Sequence, residues 1–189
     1  MIEILCDADD KSINIAQKFE EYGRYIDAHR KCVGIASACL TSFLLEKLNI
    51  DAKIFNELIL NHDMSKYHPL EFIPYRGYFY PVDEMEKLQY KEAFEEAWQH
   101  HIAANPHHPE HYTTDKVPYE MPDIYLAEMI CDLWGMSIKL QTNTPLEYIN
   151  RENEMKYIMN PKSYEKLIKL LTEIDELQLM KNVYPATVM

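Results

Sequence analysis

From Tyr22 to Leu48 the apolar residues recur three and four apart, the spacing of one face of an α-helix. Tyr22, Tyr25, Ile26, Cys32, Val33, Ala36, Cys39, Leu40 and Phe43 make that stripe, and His29 stands inside it. The pattern predicts a long helix there. Upstream it is weaker and predicts only a short helix from about Ser12 to Glu21, with Ser12 as N-cap. Asp51 can cap a second helix, about Ala52 to Met64, with Ile54, Leu58 and either Asn61 or His62 inward.

Residues Tyr67 to Val82 break the pattern. Pro69, Pro74 and Pro81 fall among six aromatic residues, and proline at that density predicts an irregular excursion. It reads either as a surface loop pinned by aromatic contacts or as a wall over a site, with Arg76 as an anion contact. A third helix is expected from about Val82 to Asn105, with Phe94, Ala97, Trp98, His101 and Ala104 on one face. His101 fits that face better than His100, but only by one position, and both stay candidates. Pro106 stops the helix, and a polar loop runs to Pro122.

The fourth helix, about Asp123 to Leu140, puts Tyr125, Met129, Asp132 and Met136 on one face. Thr144-Pro145-Leu146-Glu147 is a capping box with proline at the first helical position and starts a fifth. Asn160-Pro161 repeats the cap-then-proline device for a sixth, and the tail Tyr184 to Met189 reads as loose. No stretch alternates with period two. The expected fold is all-α: one domain over residues 1–189 with about six helices, a core at about 22–140 and packing helices at about 145–180.

Composition agrees with helix. Glycine is scarce, at 4 residues, which also argues against a glycine-rich phosphate loop. The formal net charge of −12 narrows the partners. Such a surface repels nucleic-acid backbones and anionic membranes, so no nucleic acid and no membrane are expected. A small anionic substrate stays compatible, because bound cations reverse the field locally. No run approaches the roughly 18 apolar residues of a membrane span. The start Met1-Ile2-Glu3-Ile4-Leu5-Cys6-Asp7 lacks the basic residues of a secretory signal. Cys6, Cys32, Cys39 and Cys131 show no CxxC spacing and read as reduced, buried thiols of a cytoplasmic protein.

The chemistry is concentrated. Seven of the eight histidines lie between His62 and His111, and the eighth is His29. Packing alone does not explain imidazoles beside an acid, whereas both are common ligands for divalent transition ions. The inward polar residues are His29, His62, Asp63, His100 or His101, His107, His108 and Asp132, with Glu128 one turn before Asp132. A carboxylate in an apolar stripe needs a partner or a metal to offset its desolvation.

This order of ligands resembles the HD superfamily of metal-dependent phosphohydrolases, helical proteins whose ligands converge on one or two metal ions. His62-Asp63-Met64-Ser65-Lys66 resembles the HDxGK of the subgroup that cleaves cyclic dinucleotides, with Ser65 in place of glycine. His107-His108 resembles that subgroup's adjacent histidines. Pro109-Glu110-His111 stands where the subgroup carries GYP, and Tyr25 where its three-metal members carry an acid. These departures point to at most two metals and away from cyclic dinucleotides. More closely, HDxSK with HHxxxNxHHPEH (His100 to His111) and EMxCD (Glu128 to Asp132) resembles a family of small HD-like proteins of unassigned function, over roughly residues 22–140.

The resemblance implies one or two divalent transition-metal ions: Fe, Mn, Co, Ni or Zn. His29, His62 and Asp132 would complete one ion; His101 (or His100), His107 and His108 would complete the other, with Asp63 as bridging carboxylate. Lys66 would neutralise charge developing on a phosphate. Glu110, His111 and Glu128 would orient imidazole N–H groups. The implied activity is a metal-dependent phosphohydrolase acting on a small phosphorylated substrate, such as a nucleotide, through a metal-activated water. Two alternatives use the same residues: a di-iron oxygenase, and a non-catalytic metal- or ligand-binding module.

Overall fold

The structure is a computed structural model that describes residues 3–152 and 155–183, with side chains from residue 14 onward. The Cys6 and Ser12 side chains and the tail from Tyr184 lie outside the described residues; by its backbone Ser12 stands inside a helix, not at the start of one. The chain is all-α. Nine α-helices are seen among the described residues, three more than the sequence pattern predicts. They are α1 (Glu3–Leu48), α2 (Ala52–Asn61), α3 (Pro69–Phe79), α4 (Glu84–Gln89), α5 (Lys91–Ala104), α6 (Asp123–Leu140), α7 (Pro145–Glu152), α8 (Met155–Ile158) and α9 (Pro161–Glu176). The strands β1 (Thr113–Thr114) and β2 (Val117–Pro118) form a short antiparallel hairpin. No described helix is long and apolar enough to cross a membrane.

Four differences from the sequence pattern have physical causes. The two expected N-terminal helices are one, α1, because no proline interrupts them and a lone Gly23 costs a helix only about 1 kcal/mol. The proline-rich stretch is helical: Pro69 occupies the first turn of α3, Pro74 is its one interior proline, and Pro81 lies beyond its end. His68 caps α3, its Nδ1 accepting from the Leu70 N–H at 3.3 Å. The expected third helix is two, α4 and α5, parted at Tyr90. Finally, α2 stops at Asn61, and Phe55 rather than Ile54 is its buried residue. Phe55, Ile59 and His62 are the residues of that face, one position on from the predicted stripe.

Tertiary contacts divide the chain into two compact units: Met1–Asp27 with Asp63–Ala104, and Ala28–His62 with Asn105–Met189. The first has an aromatic core. Tyr22, Ile26, Tyr75 and Ala97 are buried, with Tyr25, Tyr67, Phe72, Tyr80, Phe94 and Trp98 against them. Gly77 faces the Tyr90 ring so closely that a Cβ would overlap it. The second unit has the larger aliphatic core, in which Val33, Leu40, Phe55, Leu126, Ile130, Trp134, Leu167 and Ile174 are buried. Helix α6 is buried on most of its sides, and its Gly135 lies against Val33. Three of the predicted caps form, the first with Asp51 Oδ1 accepting from the Ile54 N–H at 2.8 Å. Thr144 and Glu147 exchange hydrogen bonds, and Asn160 Oδ1 accepts from the Lys162 N–H at 3.0 Å. Cys32 and Cys39 are half-buried and Cys131 buried, all three as free thiols.

Candidate metal centre

Three elements of the second unit bring histidine and acid to one point. His29 lies on the buried face of α1, four residues before Val33. His62 is the C-cap of α2, fixed there by Arg30, whose Nε donates to the His62 carbonyl at 2.8 Å and whose Nη2 donates to the Leu60 carbonyl at 2.7 Å. Asp132 and Glu128 stand one turn apart on α6, on the same face. His29 Nε2 is 3.3 Å from His62 Nε2 and 3.1 Å from Asp132 Oδ1. The third edge, His62 Nε2 to Asp132 Oδ1, is 3.5 Å.

That triangle fits a metal ion. Ligand bonds of ~2.0–2.1 Å in tetrahedral array place neighbouring donors about 3.3 Å apart, and all three edges lie close to that. Two Nε2 atoms facing each other across 3.3 Å can share only one proton, so a hydrogen bond satisfies the pair no better than an ion would.

Glu128 supports the triangle from behind. Its Oε1 lies 3.0 Å from His62 Nδ1 and 3.2 Å from His107 Nδ1. Accepting from the His62 Nδ1–H holds the tautomer whose Nε2 lone pair points at His29 and Asp132. Burial pushes the Glu128 carboxyl up, but the imidazoles of His107 and His62 more than reverse this and hold it below the usual carboxylate range. Asp132 behaves alike: burial raises it, and His29 and His62 outweigh burial and hold it well below its ordinary value. Both acids are therefore charged and able to serve as ligand or acceptor at neutral pH.

His107 is buried, its ring 4.4 Å from that of His62, and its Nε2 is 3.9 Å from Asp132 Oδ2. His62, His107 and Glu128 also place one donor atom each within 4.8 Å of the others. The two sets are compatible when His62 gives Nε2 to one side and Nδ1–H to the other. His108 is half-buried with its ring 4.3 Å from that of His107. Glu110 and His111 sit in the 3-10 turn that follows (Pro109–Tyr112); Glu110 Oε2 is buried without a hydrogen-bond partner among the described residues, and the His111 carbonyl accepts from the Tyr119 hydroxyl at 3.2 Å.

The first unit contains the other predicted residues. Asp63 is buried and holds φ 57° and ψ 18°, the left-handed region that aspartate tolerates better than most residues. Its Oδ2 accepts from Lys66 Nζ at 2.6 Å, and its Oδ1 is 3.4 Å from His101 Nε2. His101 is fully buried, whereas the His100 side chain is 41% exposed. Both rings meet Glu71, a buried acid that sequence reading missed. His101 Nδ1 is 2.8 Å from Glu71 Oε2, His100 Nδ1 is 2.6 Å from Oε1, and Ser65 Oγ donates to Oε2 at 2.9 Å. Burial raises the Glu71 carboxyl, and the bonds from His101, His100 and Ser65 bring it below its ordinary value. Arg76 is buried, paired with Glu86 at 2.6 Å and seated over the Phe19 and Tyr90 rings, so its charge is committed within the unit. Lys66 lines a cavity of about 360 Å³ walled by Tyr22, Tyr25, Tyr75, Phe79 and Tyr80.

Fold and site together define an all-α protein with buried histidine–carboxylate clusters able to hold a metal ion. The chain belongs to the family of unknown function DUF5662, which matches residues 18–173. No curated protein and no solved structure matches it.

Proposed function

We propose that the protein is a metal-dependent phosphohydrolase of HD type that acts on a small phosphorylated substrate. The observation that carries the reading is the His29–His62–Asp132 triangle, three donors from two helices and the cap of a third at 3.1–3.5 Å separations. A divalent ion bound there supplies a water of lowered pKa and a Lewis acid for a phosphoryl oxygen.

The chain's own residues set the conditions. His29 and His62 are sealed, with side chains 4% and 0% exposed, while that of Asp132 is 20% exposed. The accessible side of the triangle is therefore at Asp132, consistent with three protein ligands and an open position for water or substrate. Glu128 holds His62 with Nε2 inward, and Arg30 fixes the backbone on which His62 stands. For Asp63 and Lys66 the support is the HDxSK resemblance together with their ion pair. An imidazole-rich set of this kind accepts Fe, Mn, Co, Ni or Zn.

Metal analysis of protein purified without chelator, beside Asp132→Ala, is the first test. Stoichiometric metal in the wild type and its loss in the variant are expected. A phosphate-release panel with Mn, Fe, Co, Ni and Zn should then show turnover that Asp63→Ala abolishes. Equal metal in wild type and Asp132→Ala removes the site. Bound metal with a silent panel removes the hydrolase, leaving an oxygenase if the iron spectrum responds to O₂ and a non-catalytic binding module if it does not.

A further inference from the structure

The second unit contains a cleft of about 700 Å³ that has Asp132 and His108 in its wall. Leu133, Met136 and Leu140 continue the wall along α6, and Tyr148 and Met155 face it from α7 and α8. Asp132, Met136 and Leu140 are spaced four apart and so form one row on the helix. At ~1.5 Å rise per residue the row is about 12 Å long. It starts at a ligand of the triangle and runs out over hydrocarbon and thioether.

This wall is more exposed than a core should be: Leu140 is 52% and Tyr148 42% exposed. Two of its polar groups have partners of their own. Ser137 Oγ donates to the Leu133 carbonyl of its own helix at 3.2 Å. Arg151, the basic side chain among the described lining residues, is 60% exposed and paired with Glu152 at 2.7 Å. Thr142 and Asn143 add small polar groups only in the turn beyond α6.

We propose that this cleft takes the apolar organic group of the substrate, so that the substrate is a phosphate ester of an apolar alcohol whose anionic head reaches the ion at Asp132. The head rests on the phosphohydrolase reading, while the tail rests on the cleft alone. Over the Met136–Leu140 row a nucleobase would meet hydrocarbon and thioether, with the small polar groups of Thr142 and Asn143 only in the turn beyond it. An alkyl chain leaves nothing unpaired and covers Met136 and Leu140.

The test is calorimetric titration of the metal-loaded full chain with non-hydrolysable alkyl phosphonates from methyl to octyl. Affinity should rise roughly fourfold per methylene, the factor expected for a buried CH₂, and level off once the row is covered. Met136→Gln and Leu140→Gln should flatten the series while metal content and the circular dichroism spectrum stay as in the wild type. A flat wild-type series, or a nucleoside monophosphate that binds more tightly than octyl phosphonate, overturns the proposal. Length-dependent binding without hydrolysis of any phosphate ester upholds the cleft and sinks the hydrolase; nucleotide hydrolysis with a flat series does the reverse.

Discussion

Glu128 shows how much of this site depends on residues behind the ligands. It is charged although buried, because the His62 imidazole bonds to it and that of His107 lies beside it, and it chooses the tautomer of His62. Glu128→Gln keeps the volume but removes the charge and presents an amide in place of one oxygen. Metal affinity should fall ~10–100-fold, as is typical when such an orienting partner is lost, read by competition with a chromogenic chelator. An unchanged affinity would mean that Glu128 does not set the His62 ring. His29 and Asp132 were legible in the sequence because each is a polar residue inside an apolar stripe, an anomaly that periodicity exposes. Arg30 and Glu71 were not. Arg30 acts through two backbone carbonyls, and carbonyls leave no mark in sequence. Glu71 falls in a stretch whose three prolines hide its helical face.

At the scale of elements, helix α6 packs closely against α1. A Cβ on Gly135 would lie 2.7 Å from Val33 Cγ2 and 2.9 Å from the Val33 backbone nitrogen. Alanine gains ~1 kcal/mol of helix propensity over glycine, but overpacking against backbone costs ~1–3 kcal/mol. Since the α1 backbone cannot yield as a flexible side chain does, the overlap wins. Gly135→Ala should lower stability by up to about 2 kcal/mol in urea unfolding. Gly23→Ala, whose Cβ meets nothing within 4 Å, should raise it by ~0.5–1 kcal/mol. Stabilisation by Gly135→Ala would show that α1 and α6 are less closely fitted than this. The same helix had the most legible boundaries, Asp123 to Leu140 in sequence and structure alike, because its apolar pattern is long and proline precedes it. Helix α3 was lost to its prolines. Helix α8, at four residues, is too short to show a period.

On the scale of the whole molecule, the net charge of −12 favours binding of a cation, and a ligand that binds only the folded chain stabilises it by mass action. Metal at 100 times its dissociation constant adds ~2.7 kcal/mol, or roughly 5–10 °C in Tm for a chain of this size. Thermal scans with and without EDTA should show that shift in the wild type and not in His29→Ala; an equal shift in both would place the ion elsewhere. The chain passes between its two units after Asp27, after His62 and after Ala104, so each unit is assembled from distant segments with a core of its own. Nothing in the hydrophobic pattern announced that division, because periodicity reports which face of a helix is buried and not which partner buries it. By itself the sequence determined the all-α class, the main helix faces and the caps at Thr144 and Asn160, since these are set by residues within a few positions of one another. The tertiary structure alone decided that the two Nε2 atoms and a carboxylate oxygen meet at one point, that Glu128 sits behind His62, and that an apolar row leads away from Asp132. Those depend on helices α1, α2 and α6 packing side by side, a relation between residues far apart in the chain that no local spacing encodes.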